Sequence, residues 1–119
     1  MSDQKETTSK YRDQRVLELY EQLLAVDPTP IVALNRAVAL GKVHGPEKAL
    51  AALEPLENDP RLEAYHLLAA VRGHFLLELG RRGDAVACYR AALQRRCSEP
   101  ERRFLQRKLA AIEGQLDRS

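Results

Sequence analysis

The sequence lacks tryptophan altogether, and aromatic residues make up only 5% of its 119 positions. Alanine and leucine dominate instead, so good helix formers outnumber good strand formers. No apolar run approaches the roughly 18 residues that a membrane helix needs. The N-terminal stretch MSDQKETTSK is polar throughout, which excludes a secretory signal. These two absences point to a cytoplasmic protein that does not engage a membrane. Charge of one sign is also missing. The net charge is only +2, so the molecule as a whole has no strong electrostatic bias.

Cysteine is scarce too. Cys88 and Cys97 stand nine positions apart. On one helix that is about 13 Å of rise, against a disulfide span of roughly 6 Å, so the two do not pair. Cys88, among Ala85, Val86, Tyr89 and Ala92, reads as a small core residue. Cys97, beside Arg95 and Arg96, reads as an inert loop thiol in preference to an activated one. The sequence has no glycine-rich phosphate loop, no G-x-S-x-G elbow and no CxxC pair. His66, His74 and Glu78 share one expected helix but supply at most two ligands on a face, too few for a metal. His44 falls in a turn. No enzyme, cofactor or metal site is expected.

What is present is 45% apolar and 30% charged residue content with regular punctuation, in a length that suits one domain. Residues 1–9 lack periodicity and are expected to be a disordered tail; residues 10–117 form the domain. A first helix over 10–26 carries Val16, Leu17, Tyr20, Leu23 and Leu24 at three-four spacing. Asp27-Pro28-Thr29-Pro30 ends it. Further helices are expected over 30–42, 46–57, 61–79, 82–95 and from about 101 to 116. The breaks between them are His44-Gly45-Pro46, Asn58-Asp59-Pro60, Gly80 and the capping box Ser98-Glu99-Pro100-Glu101. The last helix carries Leu105, Leu109, Ile112 and Leu116 as its buried stripe. Six helices with short links form antiparallel neighbours, an all-α fold.

The hairpins repeat. Ala37, Leu40, Ala49 and Leu53 recur at an offset of 36 as Gly73, Leu76, Ala85 and Tyr89. Gly73, Leu76, Gly80, Ala85, Tyr89 and Ala92 match the tetratricopeptide (TPR) pattern. Small residues at Gly73 and Ala85 let two helices approach, and Gly80 opens the turn. The expected architecture is a TPR-like right-handed stack of antiparallel helix hairpins. It holds half a repeat, two full repeats and a capping helix.

Three segments in order are more particular: LAVDPTPIVALNRAVALGKVHGPEKAL, EAYHLLAAVRGHFLLELGRRGDAVACYRAAL and SEPERRFLQRKLAAI. Over about residues 14–116 the chain resembles the C-terminal TPR extension of extracytoplasmic-function-type sigma factors of bacterial RNA polymerase. Leu34 to Leu40, Tyr65 to Leu68 and Glu101 to Leu105 carry the resemblance most specifically. Gly73-His74 departs from the alanine and acidic residue expected there. The resemblance implies a regulatory role in transcription initiation. The implied partners are protein: the sigma promoter-binding regions, RNA polymerase or an associated regulator. The promoter-reading regions themselves, and any helix-turn-helix, are absent from the sequence. The chain is thus either a fragment or a free-standing adaptor for a peptide or protein segment, unrelated to transcription.

The first helix of each TPR hairpin lines the groove. Leu34, Asn35, Val38 and Lys42 are therefore expected to face Ala70, Val71, His74 and Glu78 there. Arg36 and Arg72 occupy equivalent places in the two repeats and read as supports bonded to a glutamate or carbonyl, with partner contact as the other reading. Asn35 matches one element of the carboxylate clamp of co-chaperone TPRs. Leu67 and Val71 stand where its basic residues belong, so a chaperone-tail receptor is not expected. The basic residues Arg95, Arg96, Arg102, Arg103, Arg107 and Lys108 read as the solvated face of the capping helix in preference to an acidic-partner patch. No aromatics interleave with them to stack bases, and no direct nucleic-acid contact is expected.

Overall fold

A computed structural model describes the backbone of residues 2–62 and 66–118, and the side chains of residues 9–62 and 66–115. It contains helices α1 (Ser2–Val26), α2 (Pro30–His44), α3 (Pro46–Leu53), α4 (His66–Glu78), α5 (Arg82–Leu93) and α6 (Glu99–Arg118), with a 3-10 turn at Glu54–Leu56. No strand occurs among the described residues, and the fold is all-α as expected. None of the helices is long and apolar enough to cross a membrane among the described residues. The chain divides into two compact units, Met1–Leu56 and Glu57–Ser119.

In the first unit α1 packs on α2 and α2 on α3. The expected start at Lys10 is corrected: α1 runs back to Ser2, so residues 2–9 are helical. The reason is visible in composition, because no proline or glycine interrupts 2–26, and extending an existing helix costs far less than nucleating one. Pro28 offers no backbone N–H, and Thr29 caps α2, its Oγ1 accepting the Val32 N–H at 3.2 Å. Pro30 takes the first helical position. The α2–α3 link is a single residue, Gly45, whose φ of +101° strains any side chain. Pro46 then opens α3. A one-residue link leaves the two helices no course but to fold back on one another. Ala37 and Ala49, both fully buried, lie on the two packed helices.

The inward face of α1 differs from the expected one. Leu17 is 1% exposed, whereas Val16 and Leu23 are open to solvent. Helix α1 carries two apolar stripes about 100° apart, as neighbouring residues on a helix must be, and only the one with Leu17 is used. The third expected helix also ends early, at Leu53, and tightens into the 3-10 turn as Pro55 approaches.

In the second unit α4 packs on α5 and α5 on α6. The expected start of α4 at residue 61 is not realised, since residues 61–62 are turn. The Asp59 carboxylate accepts the Arg61 N–H at 2.9 Å and also two bonds from its guanidinium at 3.1 and 3.0 Å. That side chain substitutes for helical bonding and stabilises a turn. Helix α4 closes on Gly80, φ +78°. The Arg81 N–H donates to the Leu76 carbonyl at 2.9 Å and the Gly80 N–H to that of Leu77 at 3.0 Å, a Schellman ending.

Gly73 is buried against α5. A Cβ there would lie 3.0 Å from Tyr89 Cε2 and 3.2 Å from Cys88 Cβ. Leu76, Ala85, Tyr89 and Ala92 of the same pattern are also buried, whereas Gly80 is exposed at the turn. Polar links that tie α5 to α6 include Arg90 to Glu113 at 3.3 Å and Arg82 to Gln115 at 3.1 Å. Leu105 and Ile112 form the inner stripe of α6, with Leu109 half-buried; the side chain of Leu116 lies outside the described residues.

Candidate functional site

Helix α2 runs back along α1 because only three residues join them. The end of α1 therefore meets the start of α2. Where the two surfaces splay they leave a cleft of about 310 Å³. Asn35, Val38 and Lys42 form the α2 wall, joined by Ala39; Arg12, Asp13, Val16 and Tyr20 form the α1 wall. Three of the four expected groove residues of the first hairpin thus line one cleft. Leu34 does not, and is corrected: at 1% exposure it is core. It faces inward because it lies about 100° around α2 from Asn35.

The α4 residues are arranged differently. Ala70, with His66 and Leu67, lines a second cleft of about 310 Å³ whose other wall is Pro100, Glu101, Phe104 and Leu105 of α6. Val71 is half-buried, whereas His74 and Glu78 are exposed and bonded to each other at 3.2 Å one turn apart. The His74 ring also meets Phe75 edge-on at 5.1 Å.

Glu101 organises the start of α6. Its Oε1 accepts the Ser98 N–H at 2.7 Å while Ser98 Oγ accepts the Glu101 N–H at 3.3 Å, which completes the expected capping box. Its Oε2 bonds His66 Nε2 at 3.0 Å. The Ser98 amide, then its side chain, and to a lesser degree His66 hold the Glu101 carboxyl below the usual glutamate range. His66 is buried, so a polar group enters the wall of this second cleft already bonded. Tyr65, expected beside it, lies outside the described residues.

A third cleft, of about 390 Å³, runs between α4 and α5 and was not foreseen. Leu68, Arg72 and Leu76 line it from α4, and Ala87, Cys88 and Ala91 from α5. Alanine at 87 and 91, one turn apart, was the available signal. Arg72 Nε donates to Glu57 at 2.9 Å, and Arg81 bonds Asp84 at 2.7 Å. Arg36, 36 positions earlier, is half-exposed on α2. Burial pushes the Cys88 thiol up, only partly opposed by Arg72.

The basic residues near α6 disperse. Arg102 is half-buried and donates to the Leu93 carbonyl at 3.3 Å, closing the end of α5. Arg103 approaches Glu99 at 3.8 Å, and Arg95 turns to the third cleft. Among the described residues no group of three or more His, Cys, Asp or Glu side chains could hold a metal ion.

No family model matches the chain. It is 38% identical over 91 residues to an uncharacterized protein of Rhizobium meliloti (strain 1021). The aligned stretch is 76% of this chain and 21% of that relative, so the chain spans only a small part of the length of the curated relative it matches.

Proposed function

We propose that this chain is a TPR-type protein-interaction domain that regulates transcription initiation as the C-terminal extension of a sigma factor. One observation supports the TPR assignment most directly. Each unit holds a packed helix pair with small buried residues at an offset of 36, Ala37 and Ala49 in one and Gly73 and Ala85 in the other, and Gly73 lies directly against Tyr89 and Cys88 of α5. Such closeness is needed where hairpins recur along a chain and each must bury a face on its neighbour. The right-handed hairpin stack belongs to this proposal.

The sigma-factor reading rests on the ordered resemblance across the three segments quoted above. A relative far longer than the aligned stretch is in keeping with a module carried by a larger protein. The chemistry of the first two clefts is that of recognition: largely apolar walls with a few polar groups and, among the described residues, no convergent acid, base and nucleophile.

The test is titration of the purified chain with separately produced sigma promoter-binding regions and with core RNA polymerase, followed by calorimetry. Saturable binding to the sigma regions, weakened by Asn35→Ala or His74→Ala with an unchanged melting temperature, is expected. Absence of binding to both refutes the transcription reading and leaves the adaptor reading.

A further inference from the structure

We propose that the cleft between α1 and α2 receives an apolar side chain from an acidic amphipathic segment of a protein partner. The inference rests on the reading of this chain as an interaction domain and specifies the chemistry of what it binds.

The argument begins with the unused stripe of α1. Val16, Leu19, Leu23 and Val26 follow three-four-three spacing, which places them on one face, and all four are exposed. Val26 is 84% exposed and Leu19 60%. Six of the seven large apolar residues exposed among the described residues fall between positions 11 and 31. Contiguous exposure of this kind marks an interaction surface, whereas single exposed leucines do not. Val16 belongs both to this stripe and to the cleft wall, so the cleft continues the stripe inward between α1 and Val38. A space of about 310 Å³ accommodates a large aliphatic or aromatic side chain.

The charges say which segment brings that side chain. Helix α2 contains Arg36, Lys42 and His44 and no acidic residue. At the end of the cleft where α1 begins to meet the close of α2 stand Arg12 and Lys42, both exposed. Neither has an ion-pair partner among the described residues. Asp13, half-buried, is the sole acid among the described residues that line the cleft. The opposite end carries the Asn35 amide and the Tyr20 hydroxyl, which can bond the backbone of an incoming chain. Apolar stripe, plug site and two exposed cations together complement a helix with leucine-like residues on one side and carboxylates beside them.

The probe is a labelled amphipathic peptide with leucine at helical spacing and glutamate elsewhere, compared with the same peptide carrying lysine for glutamate. Binding is read by fluorescence anisotropy and by methyl chemical shifts of Val16 and Val38. The glutamate peptide is expected to bind, to shift both methyl signals and to weaken as salt rises. The surface double variant R12E/K42E is expected to lose about tenfold in affinity for it and to gain affinity for the lysine peptide. Circular dichroism confirms that the variant stays folded. Binding with unshifted Val16 and Val38, equal affinity for both peptides, unchanged affinity of the variant, or no binding overturns the proposal. The sigma-region titration is independent of these peptides, so the interaction-domain reading survives or fails on its own result.

Discussion

Replacing Gly73 by alanine adds one methyl group where α4 lies closest to α5. That methyl would stand 3.0 Å from Tyr89 Cε2 and 3.2 Å from both Tyr89 Cδ2 and Cys88 Cβ. Neither neighbour yields easily. Tyr89 is 2% exposed, with its ring enclosed, and the Cys88 Cβ is fixed to the backbone of α5. Forcing a methyl into a packed interface costs about 1–3 kcal/mol. Alanine returns up to about 1 kcal/mol through its better helix propensity. The net expectation is a loss of about 1 kcal/mol, or roughly 4 °C in melting temperature for a domain of this size. Gly114 supplies the control. It lies within α6, is exposed, and a Cβ there meets nothing within 4 Å. Gly114→Ala should therefore stabilise by about 0.5–1 kcal/mol, the propensity gain alone. Urea denaturation followed by circular dichroism at helical wavelengths measures both. A Gly73→Ala protein at least as stable as the parent would refute the close-approach argument, and with it the physical basis of the repeat.

Two further outcomes follow from the second unit. At neutral pH a thiol reagent should modify Cys97 well before Cys88, because burial raises the Cys88 thiol and restricts access; equal rates would contradict the packing of α5. Ser98→Ala should cost about 1 kcal/mol of stability by removing the cap and should move the Glu101 carboxyl only part of the way back up, because the amide of residue 98 still donates to it. Since the folded carboxyl is held low, its contribution is present above the ordinary glutamate pKa and is lost as the pH falls through the lower folded value. Carbon NMR titration of Glu101 in parent and variant reads the shift directly, and an unmoved titration would remove the Ser98 side chain as a contributor.

Element breaks were the most legible part of the sequence. Pro30, Gly45-Pro46, Gly80 and the Ser98–Glu101 box each act through local geometry, and each terminates or starts a helix where that geometry demands. Starts without such a marker were misplaced. Helix α1 extends back to Ser2 because nothing stops it, and α4 begins late because Asp59 binds Arg61 instead of releasing it to a helix. The inward face of α1 was illegible for a different reason. With apolar residues at both Val16 and Leu17, periodicity admits two stripes, and only the position of α2 selects one. The same ambiguity hid the α1 side of the first cleft. Asn35, Val38 and Lys42 were expected on a groove wall opposite residues of the 61–79 helix, whereas packing sets them against Arg12, Asp13 and Tyr20 of α1. Leu34, expected on the groove wall as part of a first hairpin helix, is buried in the core instead.

Within each unit the helices pack on their neighbours in sequence: α1 on α2, α2 on α3, α4 on α5, and α5 on α6. Links such as Gly45 alone, or the three residues between α4 and α5, keep the loops that folding must close very short. Loop closure then costs little entropy, and low contact order places folding in the microsecond-to-millisecond range. A ribosome adds about 5–20 residues per second, far slower than such a hairpin forms. The α1–α2–α3 unit can therefore assemble as soon as it leaves the ribosome, while α5 and α6 are still being synthesised. The exposed α1 stripe is consequently on offer to a partner before the chain is complete.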